Sequence, residues 1–139
     1  MSDFLIGFEF EFGWLPSSFV SKKPSSKPHY FENHILPEVE VSISKSFPHT
    51  ILDIKEDCTL KFNQNLKYWH TYYGVEVVSM PLPENEALDF LSRFISWLNE
   101  QPNIQINQTC SLHLNINFKD SKLNHKDRKS TRLNSSHSL

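Results

Sequence analysis

The sequence predicts an α+β fold in which an antiparallel or mixed sheet is combined with one long helix. Several segments alternate apolar and polar residues, which is typical of strands with one buried and one solvated face. Another segment repeats its apolar residues every three or four positions, which indicates an amphipathic helix. With 38% hydrophobic and 13% aromatic residues over 139 positions, the chain can form one folded core.

The first strand is predicted over residues 4–14, which contain IGFEFEFGW. Successive side chains of a strand point to opposite faces. One face of this strand would therefore be apolar and would carry Ile6, Phe8, Phe10 and Phe12. The other face would carry Glu9 and Glu11 between Gly7 and Gly13, with little bulk beside the two carboxylates.

The later segments are assigned by the same patterns. Further strands are predicted at residues 38–44, 49–54, 57–63, 68–79 and 110–118. Residues 15–37 contain four prolines among serines and lysines and are predicted to be a loop. The long helix is predicted over residues 84–101, ending before Pro102. Its apolar stripe is predicted to be Leu88, Leu91, Phe94, Ile95 and Leu98.

The C-terminal segment 127–139 reads DRKSTRLNSSHSL. Eleven of its residues in a row match the in-frame translation of a common sequencing-library adapter. We therefore expect residues 127–139 not to be native and residues 1–126 to belong to a natural protein whose C-terminal part is missing. The segment holds three basic residues and one acidic residue, so without it the net charge falls from −2 to −4.

Composition excludes some classes of protein. The acidic balance gives no general attraction to nucleic acid, and no apolar run approaches the ~20 residues of a membrane span. Cys58 and Cys110 are isolated and form no CxxC motif, so neither a disulfide scaffold nor a zinc site is expected. A reducing, cytoplasmic location is the corresponding expectation.

Side chains that can bind a metal lie on the predicted polar faces of three strands. They are Glu9 and Glu11 on the first, Glu76 on the fifth, and His113 with Asn115 on the last. Asp57, in EDCTL, would add a fourth carboxylate. A bound cation would offset the repulsion among gathered carboxylates, and hard oxygen ligands favour Mg²⁺ or Mn²⁺ over zinc. Such sites usually hold the phosphates of a nucleotide.

The alternative is that these glutamates merely face water. Glu38 and Glu40 have the same spacing as Glu9 and Glu11, in PEVEVSI, and are predicted to be a solvated pair. Spacing alone therefore does not distinguish a metal site from the wet face of a sheet.

The order of the motifs resembles the amidoligase family, a branch of the carboxylate–amine ligases with the glutamine synthetase fold. That family shows Gly-x-Glu-x-Glu, Asp-Gly-Ser, Gly-x-Glu-x-x-Ser-Pro, a helix and Gly-x-His-x-His. This chain has GFEFEF, EDCTL, GVEVVSMPL, a predicted helix and CSLHLNI in the same order over residues 4–118.

The resemblance implies that residues 1–126 are part of an amidoligase-like catalytic domain, and it implies a role for each matching residue. The implied metal ligands are Glu9, Glu11, Asp57, Glu76 and His113, with Asn115 on a nucleotide phosphate. The implied cofactors are ATP and Mg²⁺ or Mn²⁺, and the implied substrates are a small-molecule or peptide carboxylate and an amine. The carboxylate would be activated as an acyl phosphate, and amine attack would form an amide or peptide bond.

Several positions depart from the family pattern. Cys58 and Thr59 replace Gly and Ser, Met80 intrudes before the proline, Ser111 replaces a Gly, and Asn115 replaces the second His. Ligases of this fold take further ligands, including Arg, from later in the chain, so we expect these 139 residues alone to be inactive. Two other functions stay open: a non-catalytic β-rich binding or structural domain, and a metal-dependent hydrolase or phosphoryl-transfer enzyme.

Overall fold

The computed structural model describes residues 3–17, 29–62 and 72–118, together with the backbone of 131–135. Its elements are β1 (Phe4–Trp14), a π-helical turn (Phe31–Ile35), α1 (Leu36–Ser46), β2 (Ile51–Glu56), β3 (Tyr73–Ser79), β4 (Leu82–Pro83), α2 (Glu84–Glu100), β5 (Ile104–Gln105), β6 (Leu112–Phe118) and β7 (Thr131–Ser135). The fold is α+β, as predicted. Of the two α-helices described, only α2, with 17 residues, is long.

Strand β1 lies at the centre of the sheet, whose order is β2-β3-β1-β6-β7. The described strand pairings are all antiparallel, and the short β4 and β5 pair with the two ends of β1. Glu11 of β1 lies opposite Glu76 of β3. Glu9 of β1 lies opposite His113 of β6. The predicted polar faces of three strands are thus neighbours.

The apolar face of β1 packs against α2, which confirms the predicted parity of this strand. Phe8, Phe10 and Phe12 are fully buried, and the rings of Phe10 and Phe94 stack with centroids 4.1 Å apart. Phe8 contacts Phe90 at 5.9 Å. Each such aromatic pair contributes about 0.5–1.5 kcal/mol beyond the burial of its apolar surface. The core therefore holds one face of β1 rigidly and leaves the opposite face free for polar groups.

The helix α2 follows its predicted range, but its buried face is rotated from the predicted stripe. Leu88 is 59% exposed, whereas Phe90 and Trp97 are buried together with Phe94 and Leu98. The aromatic rings of β1 favour this orientation, because Phe90 and Trp97 make larger contacts with these rings than the leucines of the predicted stripe would make.

The predicted strand 38–44 is wrong, because these residues lie in α1. The predicted loop 15–37 is also wrong beyond residue 30, where the π-helical turn and then α1 begin, and its residues 18–28 lie outside the described residues. Phe31, Ile35, Val39 and Ile43 are buried at steps of four residues, which is helical spacing. Pro37 lies in the first turn, where a proline costs no intrahelical hydrogen bond.

Glu38 is consequently not part of a solvated strand pair. Its Oε1 accepts hydrogen bonds from the indole N–H of Trp14 at 3.0 Å and the backbone N–H of Ser17 at 2.8 Å. Glu38 therefore attaches α1 to the end of β1. Glu40, one half-turn away, is exposed.

Three further predictions concern segment ends. Residues 57–62 contain a turn at 58–59 and not the predicted strand, and residue 63 lies outside the described residues. The strand predicted over 68–79 begins at Tyr73, with 68–71 outside the described residues. Residues 131–135, within the segment predicted not to be native, pair with β6. The division at residue 126 stays a prediction. Among the described helices, none has both the length and the apolar character needed to cross a membrane.

Candidate functional site

The face of the sheet opposite α2 carries a row of polar side chains across three strands. They are Glu76 of β3, Glu9 and Glu11 of β1, and His113 with Asn115 of β6. Asp57 joins them from the turn that follows β2. The structure thus brings all six predicted site residues to one region of the sheet, although they are up to 106 positions apart in the chain.

Glu11, Asp57 and Glu76 form the first half of this region. Each offers a carboxylate oxygen, and these oxygens lie within 4.8 Å of one another. All three residues are half-buried. The backbone N–H of Ser111 donates to Oε1 of Glu11 at 2.8 Å and holds that carboxylate in place.

Asp57 reaches the cluster because the chain turns tightly there. Its backbone N–H donates to the carbonyl of Gly74 at 2.8 Å, and its Oδ1 accepts the N–H of Thr59 at 3.0 Å. A Cβ atom at position 74 would lie 2.0 Å from the carbonyl oxygen of Asp57. Glycine is therefore required at position 74 for this close approach of the two segments.

Glu9, His113 and Asn115 form the second half. The side-chain amide of Asn115 donates to Oε2 of Glu9 at 3.1 Å. Nδ1 of His113 lies 3.6 Å from the same oxygen, which is beyond hydrogen-bonding distance. Within the described part of the chain this buried nitrogen has no hydrogen-bond partner, so it can still take a proton or bind a cation.

The crowding of carboxyl groups changes their acidity. Burial raises the pKa of Glu11, and the hydrogen bond and charge of Asp57 raise it further, while the Ser111 N–H opposes the rise. Burial likewise raises the pKa of Glu76 to about 7, followed by the hydrogen bond and charge of Glu9. Lys55 lies opposite Glu76 on β2, and its charge opposes this rise. Without a cation, Glu76 is therefore partly protonated near neutral pH.

The set of donor atoms fits a hard divalent cation. Carboxylate oxygens predominate, and an imidazole nitrogen lies beside them, as Mg²⁺ or Mn²⁺ accept. At metal–oxygen distances near 2.1 Å, adjacent oxygens around Mg²⁺ are about 3.0 Å apart and opposite oxygens about 4.2 Å apart. The three carboxylate oxygens, which lie within 4.8 Å of one another, would need to approach these spacings to share one ion. Glu11, Asp57 and Glu76 would hold the ion, with Glu9 and His113 adjacent.

Sequence reasoning missed three contributors to this region. The backbone N–H of Ser111 and the Cβ-free backbone of Gly74 act through contacts that no sequence pattern records. Lys55 did carry a signal, since it lies two residues before Asp57 in an alternating segment. Its alignment with Glu76 depends on the pairing of β2 with β3, which the sequence does not show.

Comparison of the chain with protein-family models, with curated proteins and with solved structures finds no match.

Proposed function

We propose that this chain is the N-terminal part of an ATP- and Mg²⁺-dependent carboxylate–amine ligase, with its cation at Glu11, Asp57 and Glu76. The observation that supports this proposal is the convergence of three carboxylates from three separate segments within 4.8 Å. Two unit charges at that distance repel by about 3.5 kcal/mol at an effective dielectric of 20, and by less than about 1 kcal/mol in bulk water. Half-buried groups lie between these limits, so a cation would offset a substantial cost.

A nucleoside triphosphate fits the other polar groups of this face, which are Glu9, His113 and Asn115. A bound divalent cation would neutralise the charge on the transferring phosphoryl group. Asn115 can donate hydrogen bonds to phosphate oxygens through its amide, and a protonated His113 can do so through its ring. Glu9 accepts from Asn115 and lies beside His113, so it would hold both donors in position. In the proposed ligase these groups bind and orient ATP while the substrate carboxylate attacks its γ-phosphorus.

The cation site is tested by titrating the chain with Mn²⁺ and following free Mn²⁺ by electron paramagnetic resonance. We expect the unsubstituted 139-residue chain to bind one Mn²⁺ ion. The Glu11→Gln variant should bind Mn²⁺ at least tenfold more weakly, because the substitution removes a negative ligand with little change in volume. Glu40→Gln, an exposed position on α1, serves as the matched control and should bind as the parent does. Absence of Mn²⁺ binding in the parent at millimolar concentration would contradict the cation site.

The reaction is tested separately in a full-length parent protein. Release of ADP from ATP that requires both a carboxylate and an amine supports the ligase. Release of ADP with neither substrate present would instead support a hydrolase on the same carboxylates.

A further inference from the structure

Strand β2 forms one edge of the sheet, and within the described residues β3 is its sole strand partner. The backbone N–H of Asp57, just after β2, donates to the carbonyl oxygen of Gly74 in β3. Backbone groups alternate in direction along an antiparallel strand. Ile54 therefore directs its N–H and C=O away from β3, as does Glu56. An edge strand with free donors and acceptors is a template for pairing with another strand.

The outer side of β2 is complementary to itself under a two-fold axis. If a second β2 pairs antiparallel with Ile54 opposite Ile54, the outward backbone groups of these two residues bond each other. Asp53 of each copy then lies directly opposite Lys55 of the other. These are non-hydrogen-bonded positions, where facing side chains approach most closely. Asp53 and Lys55 are both exposed and available for this contact.

The alternative register is less favourable. An axis centred on Glu56 also pairs outward backbone groups, but it sets the two Glu56 carboxylates against each other. Like charges directly opposite one another destabilise a strand pair. The charges of β2 thus favour the register centred on Ile54 over the one centred on Glu56.

A groove of about 350 Å³ with both polar and apolar lining residues follows the same edge on the side of the helices. Ile43 and Phe47 line it from α1 and the following loop, and Ile51 and Ile54 line it from β2. Leu52, beside them, is 60% exposed. A second β2 centred on Ile54 would bring its own Ile54 beside this groove and remove apolar surface of the two Ile54 side chains from water.

We propose that β2 is a dimerisation edge, where a second copy of this chain pairs antiparallel about a two-fold axis at Ile54 and joins the two sheets into one. The self-complementary charges of Asp53 and Lys55 specify the second copy as the occupant. The proposal does not depend on the cation site, because it rests on the backbone and charges of the sheet edge.

Sedimentation equilibrium from about 1 µM to 1 mM chain covers the range expected for a small strand-to-strand interface. The parent mass should rise with concentration from 16.3 kDa towards twice that value. Asp53→Lys and Lys55→Asp should each weaken association at least about tenfold, since each creates two like-charge contacts. A mixture of the two variants should associate again, because every contact then joins a lysine to an aspartate. Glu100→Lys, the same charge change at an exposed position on α2, is the control and should associate as the parent does.

A parent that stays at 16.3 kDa throughout the range overturns the proposal. So does a dimer that both single variants leave intact, or a mixture that stays monomeric although each variant alone melts cooperatively. Thermal melting of each variant separates a lost contact from a lost fold. Should Lys55→Asp unfold, Asp53→Lys by itself still decides whether this edge carries the contact.

Discussion

Replacing Glu76 with glutamine is expected to stabilise the cation-free protein at pH 8 and to have little effect near pH 5. Burial, with the hydrogen bond and charge of Glu9, raises the pKa of Glu76 from 4.5 to about 7. The folded state therefore binds this proton more tightly than the unfolded state does. The resulting stability is fully present below about pH 4.5 and is lost as the pH rises through about 7. The Glu76→Gln side chain carries no charge and avoids this loss.

The rise of the Glu76 pKa would correspond to about 3.4 kcal/mol if the carboxyl group were fully shielded from solvent. The residue is half exposed, so screening by water reduces the expected gain at pH 8 to about 1 kcal/mol. For a chain of this length, such a gain raises the melting temperature by about 3–5 °C.

The measurement is thermal melting followed by circular dichroism in EDTA, at pH 5 and at pH 8. Glu40→Gln, exposed on α1, is the matched control for loss of one negative charge and should shift neither melting temperature by more than about 1 °C. The carboxyl groups do not interact as described if Glu76→Gln has the same melting temperature as the unsubstituted chain at pH 8. The same conclusion follows if its melting temperature rises equally at both pH values. Addition of Mg²⁺ at pH 8 should reduce the difference in melting temperature between the two proteins, because the ion stabilises the unsubstituted chain more than the variant.

Three further changes test the parts of the fold that position the site. Gly74→Ala should lower the melting temperature and weaken Mn²⁺ binding, because its Cβ would lie 2.0 Å from the carbonyl oxygen of Asp57 and displace that segment. Phe94→Ala should cost about 3–5 kcal/mol in chemical unfolding, whereas Leu88→Ala, at an exposed position, should cost less than about 0.5 kcal/mol; equal costs would refute the described helix face. Glu38→Ala should cost about 1–3 kcal/mol and change the fluorescence of its indole partner, and an unchanged spectrum would refute that hydrogen bond.

The local sequence pattern predicted an element correctly where only one backbone conformation could bury the apolar side chains of that segment. Alternating Phe and Glu in β1 can bury its aromatic side chains on one face only if the strand is extended, and the structure has this parity. The same holds for β6, with Leu112 buried and His113 on the opposite face. The range of α2 followed equally from its three- and four-residue repeats.

The segment EVEVSIS was ambiguous because two periods fit it. Its alternation suits a strand, but Val39 and Ile43 are also one helical turn apart. A longer window contains the deciding signal, since Phe31 and Ile35 continue the four-residue spacing upstream. The helix is favoured because these four side chains together bury a continuous apolar stripe, whereas a strand of seven residues would bury fewer of them.

The sequence by itself determined which side chains could bind a cation and which face of its strand each would share. Only the tertiary structure decided that these faces are adjacent, because the strand order β2-β3-β1-β6 depends on contacts between residues far apart in the chain. The same structure separated Glu38, held by an indole N–H, from Glu11, held beside Asp57 and Glu76. Two identical Glu-x-Glu spacings thus lie in different surroundings. The position of a carboxylate relative to other charges is a property of the fold and not of the local sequence.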